Sequence, residues 1–260
     1  MNKVEQRMLE ILKRLREEHG VLAIKSEFEA EGSRTDELVM LNQVVFRADS
    51  DMFIKIGGCE AVRDLDQCIV LGAKGVMAPM IETPFAMGKF IGALEKVYDE
   101  STNELEIIIN AETKTCYENL DEILEAGKGV LNTVVVGRVD FSSSYGLTRK
   151  DINGDFICEK TLDILKRSRQ HGYKAGFGGG ISLEAIPFIV KMSEYADKFE
   201  TRKVVFPMTS DEKKLRAGIV LAMEFETLYL RNKCDFYDRM AKEDAERLVM
   251  LEKRLAQVNN

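Results

Sequence analysis

Glu112 and Asp140 each end a β-branched apolar run, Leu-Glu-Ile-Ile-Ile-Asn-Ala-Glu at 105–112 and Thr-Val-Val-Val-Gly-Arg-Val-Asp at 133–140. Paired carboxylates are hard oxygen donors. They suit Mg²⁺ or Mn²⁺, which take one or two carboxylates and fill the other positions with water and substrate. For that chemistry the two side chains must meet in space. Residues 117–126 between the runs carry Leu120, Ile123 and Leu124 at helical spacing, so the stretch reads as strand, helix, strand. Such a unit lays its strands parallel through a right-handed crossover, and both carboxylates then emerge at one end of one sheet. A plainer reading stands beside it, since an acidic residue after a strand often caps the next helix or pairs with a lysine.

The elements that would position this unit recur along the chain. Residues 3–19 repeat Met8, Ile11, Leu12 and Leu15 among charges, a helix that Gly20 ends. A strand at 21–25 leads into the acidic stretch 26–32, and Ser33 or Thr35 can cap the next helix. Strands follow at 52–56 and 76–82, with helices at 61–71 and from Pro84 to about residue 97. After the central unit come a helix at 155–171, a strand at 174–180, a helix from Ser182 to Met192 and a strand at 203–206. Alternation of this kind gives βαβ units and a parallel sheet, either open and doubly wound or closed. Polar residues just after strand after strand (Lys25, Glu27, Lys55, Glu82, Glu112, Asp140 and the 200–202 stretch) favour closure, because barrel strands end together at one rim where active sites sit. The expected fold is therefore α/β, a (β/α)8 TIM barrel over residues 1–210, with a C-terminal helical extension over 211–260. Seven strands are legible; the eighth is either short or covered by the N-terminal helix. The extension has a broad apolar face (Ile219, Val220, Met223, Leu228, Leu230) that packs on the barrel or on a neighbouring subunit.

Composition narrows the function classes. The chain has 260 residues, 45% hydrophobic and 31% charged, with a formal net charge of −7 and no basic stripe to neutralise phosphates, so a nucleic-acid partner is not expected. No apolar run is long enough to cross a bilayer and no signal peptide precedes the first helix. Five scattered cysteines without a C-x-x-C pair point to reduced thiols in a cytoplasmic protein. The loop Gly176-Phe177-Gly178-Gly179-Gly180-Ile181-Ser182 has two readings: Gly178 and Gly179 cradle a substrate anion, or the glycines admit a close approach.

Three segments together resemble successive motifs of the HpcH/HpaI aldolase and citrate lyase β-subunit family. They are Lys74-Gly75-Val76-Met77-Ala78-Pro79-Met80-Ile81-Glu82, Ile109-Asn110-Ala111-Glu112-Thr113 with Glu118-Asn119-Leu120, and Val136-Gly137-Arg138-Val139-Asp140-Phe141-Ser142. The likeness spans roughly residues 21–207. It implies a metal-dependent barrel of the phosphoenolpyruvate/pyruvate superfamily, a homo-oligomer in which Glu112 and Asp140 hold Mg²⁺ and a keto-acid or acyl substrate reacts through an enolate. It further implies that backbone groups at Gly137 and Arg138 hold the substrate carboxylate, and that Lys55 stands where many members carry an arginine. Lys55 keeps the charge without the bidentate fork, and Arg63 is a remoter substitute. The family histidine is missing: the matching stretch reads Ser26-Glu27-Phe28, and His19 and His171 sit at helix ends. A carboxylate base is then expected, with Glu27, Glu29 and Glu82 as candidates. Two other readings remain open, a metal-independent sugar-phosphate barrel enzyme using the glycine loop and a catalytically silent metabolite-binding homologue.

Overall fold

A computed structural model describes residues 1–98 and 104–258. Eight strands close into a barrel in sequence order: β1 (Ala23–Glu27), β2 (Asp51–Lys55), β3 (Gly75–Ala78), β4 (Glu106–Ala111), β5 (Thr133–Gly137), β6 (Lys174–Gly178), β7 (Lys198–Glu200) and β8 (Val204–Pro207). The first seven run parallel. β8 runs antiparallel to both β7 and β1, because only Thr201, Arg202 and Lys203 separate it from β7 and no helix intervenes. The strand that the sequence does not show is thus β7, three residues long.

The helices are α1 (Lys3–His19), α2 (Thr35–Arg47), α3 (Val62–Val70), α4 (Pro84–Tyr98), α5 (Lys114–Glu118), α6 (Leu120–Ala126), α7 (Arg138–Ser144), α8 (Asp155–Gln170), α9 (Ile186–Met192) and α10 (Glu212–Val258). Several boundaries differ from the sequence reading, among them β1 at Ala23–Glu27 instead of 21–25 and β6 ending at Gly178 instead of 180. Residues 117–126 are not one helix, for the chain breaks at Asn119 between α5 and α6. β3 stops at Ala78, and Met80 adopts a left-handed φ of 51°. The run 133–140 is not strand to its end either: Gly137 turns the chain, and Asp140 lies in the first turn of α7.

Strand periodicity sorts the side chains. Ile24, Met52, Ile54, Val76, Ile107, Ile109, Val134, Val136, Phe177 and Phe199 point outward into the shell beneath the helices, where all are buried. Ala23, Phe53, Met77, Ile108, Val135 and Val205 form a separate apolar layer inside the barrel. Below it Lys198 reaches Glu106 at 2.8 Å, and Thr133 donates to the same carboxylate oxygen at 2.7 Å. Above it lie the charged residues of the site. The inside is therefore a packed floor under a polar mouth.

The reversed last strand decides where α10 runs. β8 ends at the foot of the barrel, where Pro207 lies against Gly20, and Gly218 of α10 abuts His19 at the end of α1. Asn2, at the other end of α1, donates to Asn232 at 2.7 Å, so the two helices lie antiparallel. They meet through Met8, Ile11, Leu12 and Leu15 on one side and Leu215, Ile219, Ala222 and Phe225 on the other, all buried. All five cysteines are free, and burial pushes the Cys68 and Cys116 thiols up to about 12. No helix among the described residues is long and apolar enough to cross a membrane.

Candidate active site

A cavity of about 570 Å³ opens at the C-terminal ends of the parallel strands, lined by charged side chains and by glycines. Its first wall is Glu112, one residue past β4 and 1% exposed. Asn110 Nδ2 donates to Glu112 Oε2 at 3.0 Å, and the Met80 N–H donates to Oε1 at 3.1 Å. The unusual backbone at Met80 therefore has a use: it aims an amide at the buried carboxylate. Lys55 Nζ lies 3.2 Å from Glu112 and 2.8 Å from Glu29. Burial works against the Lys55 ammonium, but Glu112 and Glu29 outweigh it and hold its pKa above the usual value. Burial pushes Glu112 upward, against the pull of Lys55, Asn110 and Met80.

Asp140 lines the same cavity from the first turn of α7, exposed to solvent there. Gly137 between them provides the room. A β-carbon at Gly137 would stand 2.6 Å from Glu112 Oε2. The donor set thus offers two carboxylates and an unobstructed backbone. Among the described residues no three His, Cys, Asp or Glu side chains form a cluster able to hold a metal ion. Two carboxylates facing one cavity are by their chemistry a donor set that fits Mg²⁺, an ion that fills its other positions with water and substrate.

The opposite wall is built from β1 and β7. Lys25 Nζ donates to Glu200 Oε2 at 2.7 Å, and Glu200 is fully buried. At the rim Arg202, in the β7–β8 turn, reaches Glu27 at 2.7 Å and Glu31 at 3.0 Å. Lys203 beside it pairs with Glu31 and lies over the Tyr229 ring, which ties the turn to α10. Glu226 brings α10 to the cavity edge, and Arg149 adds a further cation.

The glycine loop forms the last side. Gly178 and Gly179 line the cavity, and Gly179 sits with φ 80° against the start of α7, where a β-carbon would meet the Val139 nitrogen at 2.9 Å. Arg138 holds this arrangement from behind. Its guanidinium donates to the carbonyls of Gly178 (3.1 Å) and Gly179 (2.7 Å) and to Asn153 (2.9 Å), and stands 4.2 Å over the Phe188 ring. The Arg138 side chain is not part of the cavity lining and its guanidinium is spent on these carbonyls, so only its backbone is left for the role expected of it.

The structure thus gathers Lys55, Glu27, Glu112, Asp140, Gly137, Gly178 and Gly179 around one cavity. Glu82 is not among them. The turn at Met80 leaves it half-buried beside the start of α4, outside the cavity lining. His19 is buried at the barrel foot, His171 pairs with Asp121 at 3.5 Å outside the barrel, and Arg63 is exposed on α3. Asn110 was given no role in the sequence, and Lys25 and the 200–202 stretch stood there only as polar residues at the rim, not as a pair. The available signal was alternation: in Lys198-Phe199-Glu200 the aromatic faces the helices and both charges face inward.

Comparison with known proteins agrees with this fold. The structure resembles an HpcH/HpaI aldolase from Desulfitobacterium hafniense DCB-2 with a TM-score of 0.60 and 17% identity, over 73% of this chain and 80% of that one. It resembles an HpcH/HpaI aldolase/citrate lyase family protein from Burkholderia cenocepacia J2315 with a TM-score of 0.60 and 14% identity, over 87% of this chain and all of that one (100%). RipC from Yersinia pestis is a more distant likeness, with a TM-score of 0.52 and 12% identity over 79% and 87% of the two chains. At such identities these structures speak for the fold alone. No curated protein sequence matches the chain. The sequence profile of the HpcH/HpaI aldolase/citrate lyase family matches residues 18–178, more than half of the chain, and this protein belongs to that family.

Proposed function

We propose that this protein is a divalent-metal-dependent carbon–carbon lyase acting on a keto-acid or acyl substrate through a pyruvate-like enolate. The observation that carries the reading is the meeting of Glu112, Asp140 and Lys55 in one cavity. Glu112 and Asp140 would hold Mg²⁺ or Mn²⁺, and the bound ion would supply Lewis-acid neutralisation of an oxyanion. The protein's own contribution is charge held in place. Lys55 presents a permanent cation beside Glu112, preorganised by Glu29 for negative charge that develops on substrate oxygen. Arg149 and Arg202 line the entrance and attract an anionic substrate. The apolar floor from Phe53 to Val205 closes the cavity from below and keeps water out of the barrel.

Calorimetric titration of pyruvate or oxalate into metal-stripped protein tests the reading. Binding is expected only with Mg²⁺ and is expected to vanish in Asp140→Asn. Binding without metal, or none at all, overturns it.

The protein is further proposed to be a cytoplasmic homo-oligomer. Beyond the barrel α10 carries Leu248, Leu251 and Leu255 at 57%, 40% and 63% exposure, in coiled-coil spacing. Arg247 and Glu252 flank this stripe at positions that would meet with opposite charge in a parallel pair. The occupant proposed for the stripe is a second copy of this chain.

A further inference from the structure

We infer that Glu200 is the proton-transferring residue of this site, with Lys25 as its fixed counter-ion. The inference rests on the enolate reading above and supplies the base that the missing histidine leaves open.

The other carboxylates are either paired or differently placed. Glu112 accepts from Lys55, Asn110 and Met80, Glu27 is paired with Arg202, and Glu29 with Lys55. Asp140 is a proposed metal ligand, and Glu226 reaches the cavity from α10, outside the ring of strands. Glu200 differs from all of these. It belongs to the cavity wall although it is fully buried, its Oε2 is held by Lys25 at 2.7 Å, and its Oε1 is buried without a hydrogen-bond partner. A buried carboxylate oxygen without a donor is costly unless a ligand or water supplies one. Asn110 Oδ1, on the Glu112 side of the same cavity, also lacks a partner. Both orphans are acceptors, so the group placed between them must bring hydrogen-bond donors, as the hydroxyl of a hydroxy-keto acid does.

The strand register supports this placement. Gly137 of β5 pairs with Gly178 of β6, and a β-carbon on Gly178 would stand 3.4 Å from the Glu200 Cβ. Two adjacent strands therefore present no side chain at this level. Along that wall the cavity is open from Glu112 on β4 to Glu200 on β7. A substrate whose keto-acid end lies by Glu112 extends its hydroxyl toward Glu200.

The step balances for cleavage of a 4-hydroxy-2-keto acid. Glu200 Oε1 takes the hydroxyl proton, and the O–H electron pair forms the aldehyde C=O. The bond between C3 and C4 breaks, and its electron pair becomes the enolate of pyruvate. Glu200 then returns the same proton to C3, giving pyruvate and restoring the carboxylate. Lys25 keeps its charge throughout and holds the carboxylate in place.

Exchange of pyruvate methyl protons with D₂O, followed by proton NMR in the presence of Mg²⁺, reads the second half of this step without an aldehyde. In wild type the methyl signal is expected to decay. In Glu200→Gln, pyruvate binding by calorimetry is expected to stay within about threefold while exchange slows by about 100-fold or more, the usual contribution of a positioned acid–base group. Glu200→Ala is expected to regain exchange on addition of formate, a recovery that a merely structural residue would not show. Exchange in Glu200→Gln within about threefold of wild type, or Glu200→Ala unrescued by formate, overturns the assignment while leaving the enolate reading standing. Wild type that binds no pyruvate overturns both.

Discussion

Gly137 and Glu112 share one space: the carboxylate occupies the volume that a side chain on residue 137 would fill, with Oε2 2.6 Å from the missing β-carbon. Gly137→Ala must therefore displace Glu112 from Asn110 and Met80. Mg²⁺-dependent pyruvate binding is expected to fall by about 10- to 100-fold, the usual loss when a ligand's support is disturbed. Calorimetry measures it, and unchanged affinity would dissociate Glu112 from the metal.

Lys55 sets the pH range in which Glu112 is charged. Burial raises the Glu112 pKa and the Lys55 cation lowers it, so Lys55→Met leaves burial unopposed by its strongest partner. Metal binding needs the ionised carboxylate, and affinity is lost as pH falls through the Glu112 pKa. The acid limb of Mg²⁺-dependent pyruvate binding is therefore expected at higher pH in Lys55→Met than in wild type. Titration at a series of pH values checks the direction.

Arg138 is the keystone behind the glycine loop. Burial lowers its pKa to about 10, which still leaves it cationic at neutral pH. Lysine cannot reproduce donation to Gly178, Gly179 and Asn153 at once. Arg138→Lys is expected to cost about 2–3 kcal/mol in urea denaturation, the worth of lost bonds from a charged donor.

The Lys198–Glu106 pair under the floor offers a test of stability apart from the site. Glu106→Gln leaves a buried ammonium unmatched and is expected to cost about 3 kcal/mol, whereas Glu106→Gln with Lys198→Met recovers most of that. Burial opposes the Glu106 charge, but Lys198 and Thr133 outweigh it and lower its pKa. Its stabilising contribution is thus present above the ordinary carboxylate pKa and lost as pH falls through the folded-state value. Denaturation curves of wild type and Glu106→Gln should converge on acidification, while the double variant, which has no buried ammonium there, stays apart from both.

The stripe on α10 can be removed cleanly. A chain ending at Arg239 keeps the contacts with α1 and the cavity, and loses Leu248, Leu251 and Leu255. Sedimentation equilibrium is expected to give fewer subunits per particle for this chain than for the full one. Equal masses would place any subunit contact elsewhere.

How much of this was legible varies by element. β4 and β5 stand out because a parallel barrel strand is buried on both faces and reads as an unbroken apolar run. β7 does not, since two of its three residues are inward-facing charges and only Phe199 looks like a strand residue. The boundary at Gly137 was hidden by Val139, which prolongs the β-branched pattern into the first turn of α7. Lys25 and Glu200 lie at opposite ends of the barrel sequence, and no local spacing announces a pair made by ring closure.

That closure is narrow. β1 and β8 share two register pairs, Ala23 with Val205 and Ile24 with Val204, where β1 and β2 share five. So short a seam is clasped from outside by α1 and α10, the first and last helices of the chain. A ribosome that has made every strand has still not made the helix that shuts the ring. Lys25 and Glu200 stand on either side of β8, so the two charges acquire their final distance only when the ring is shut.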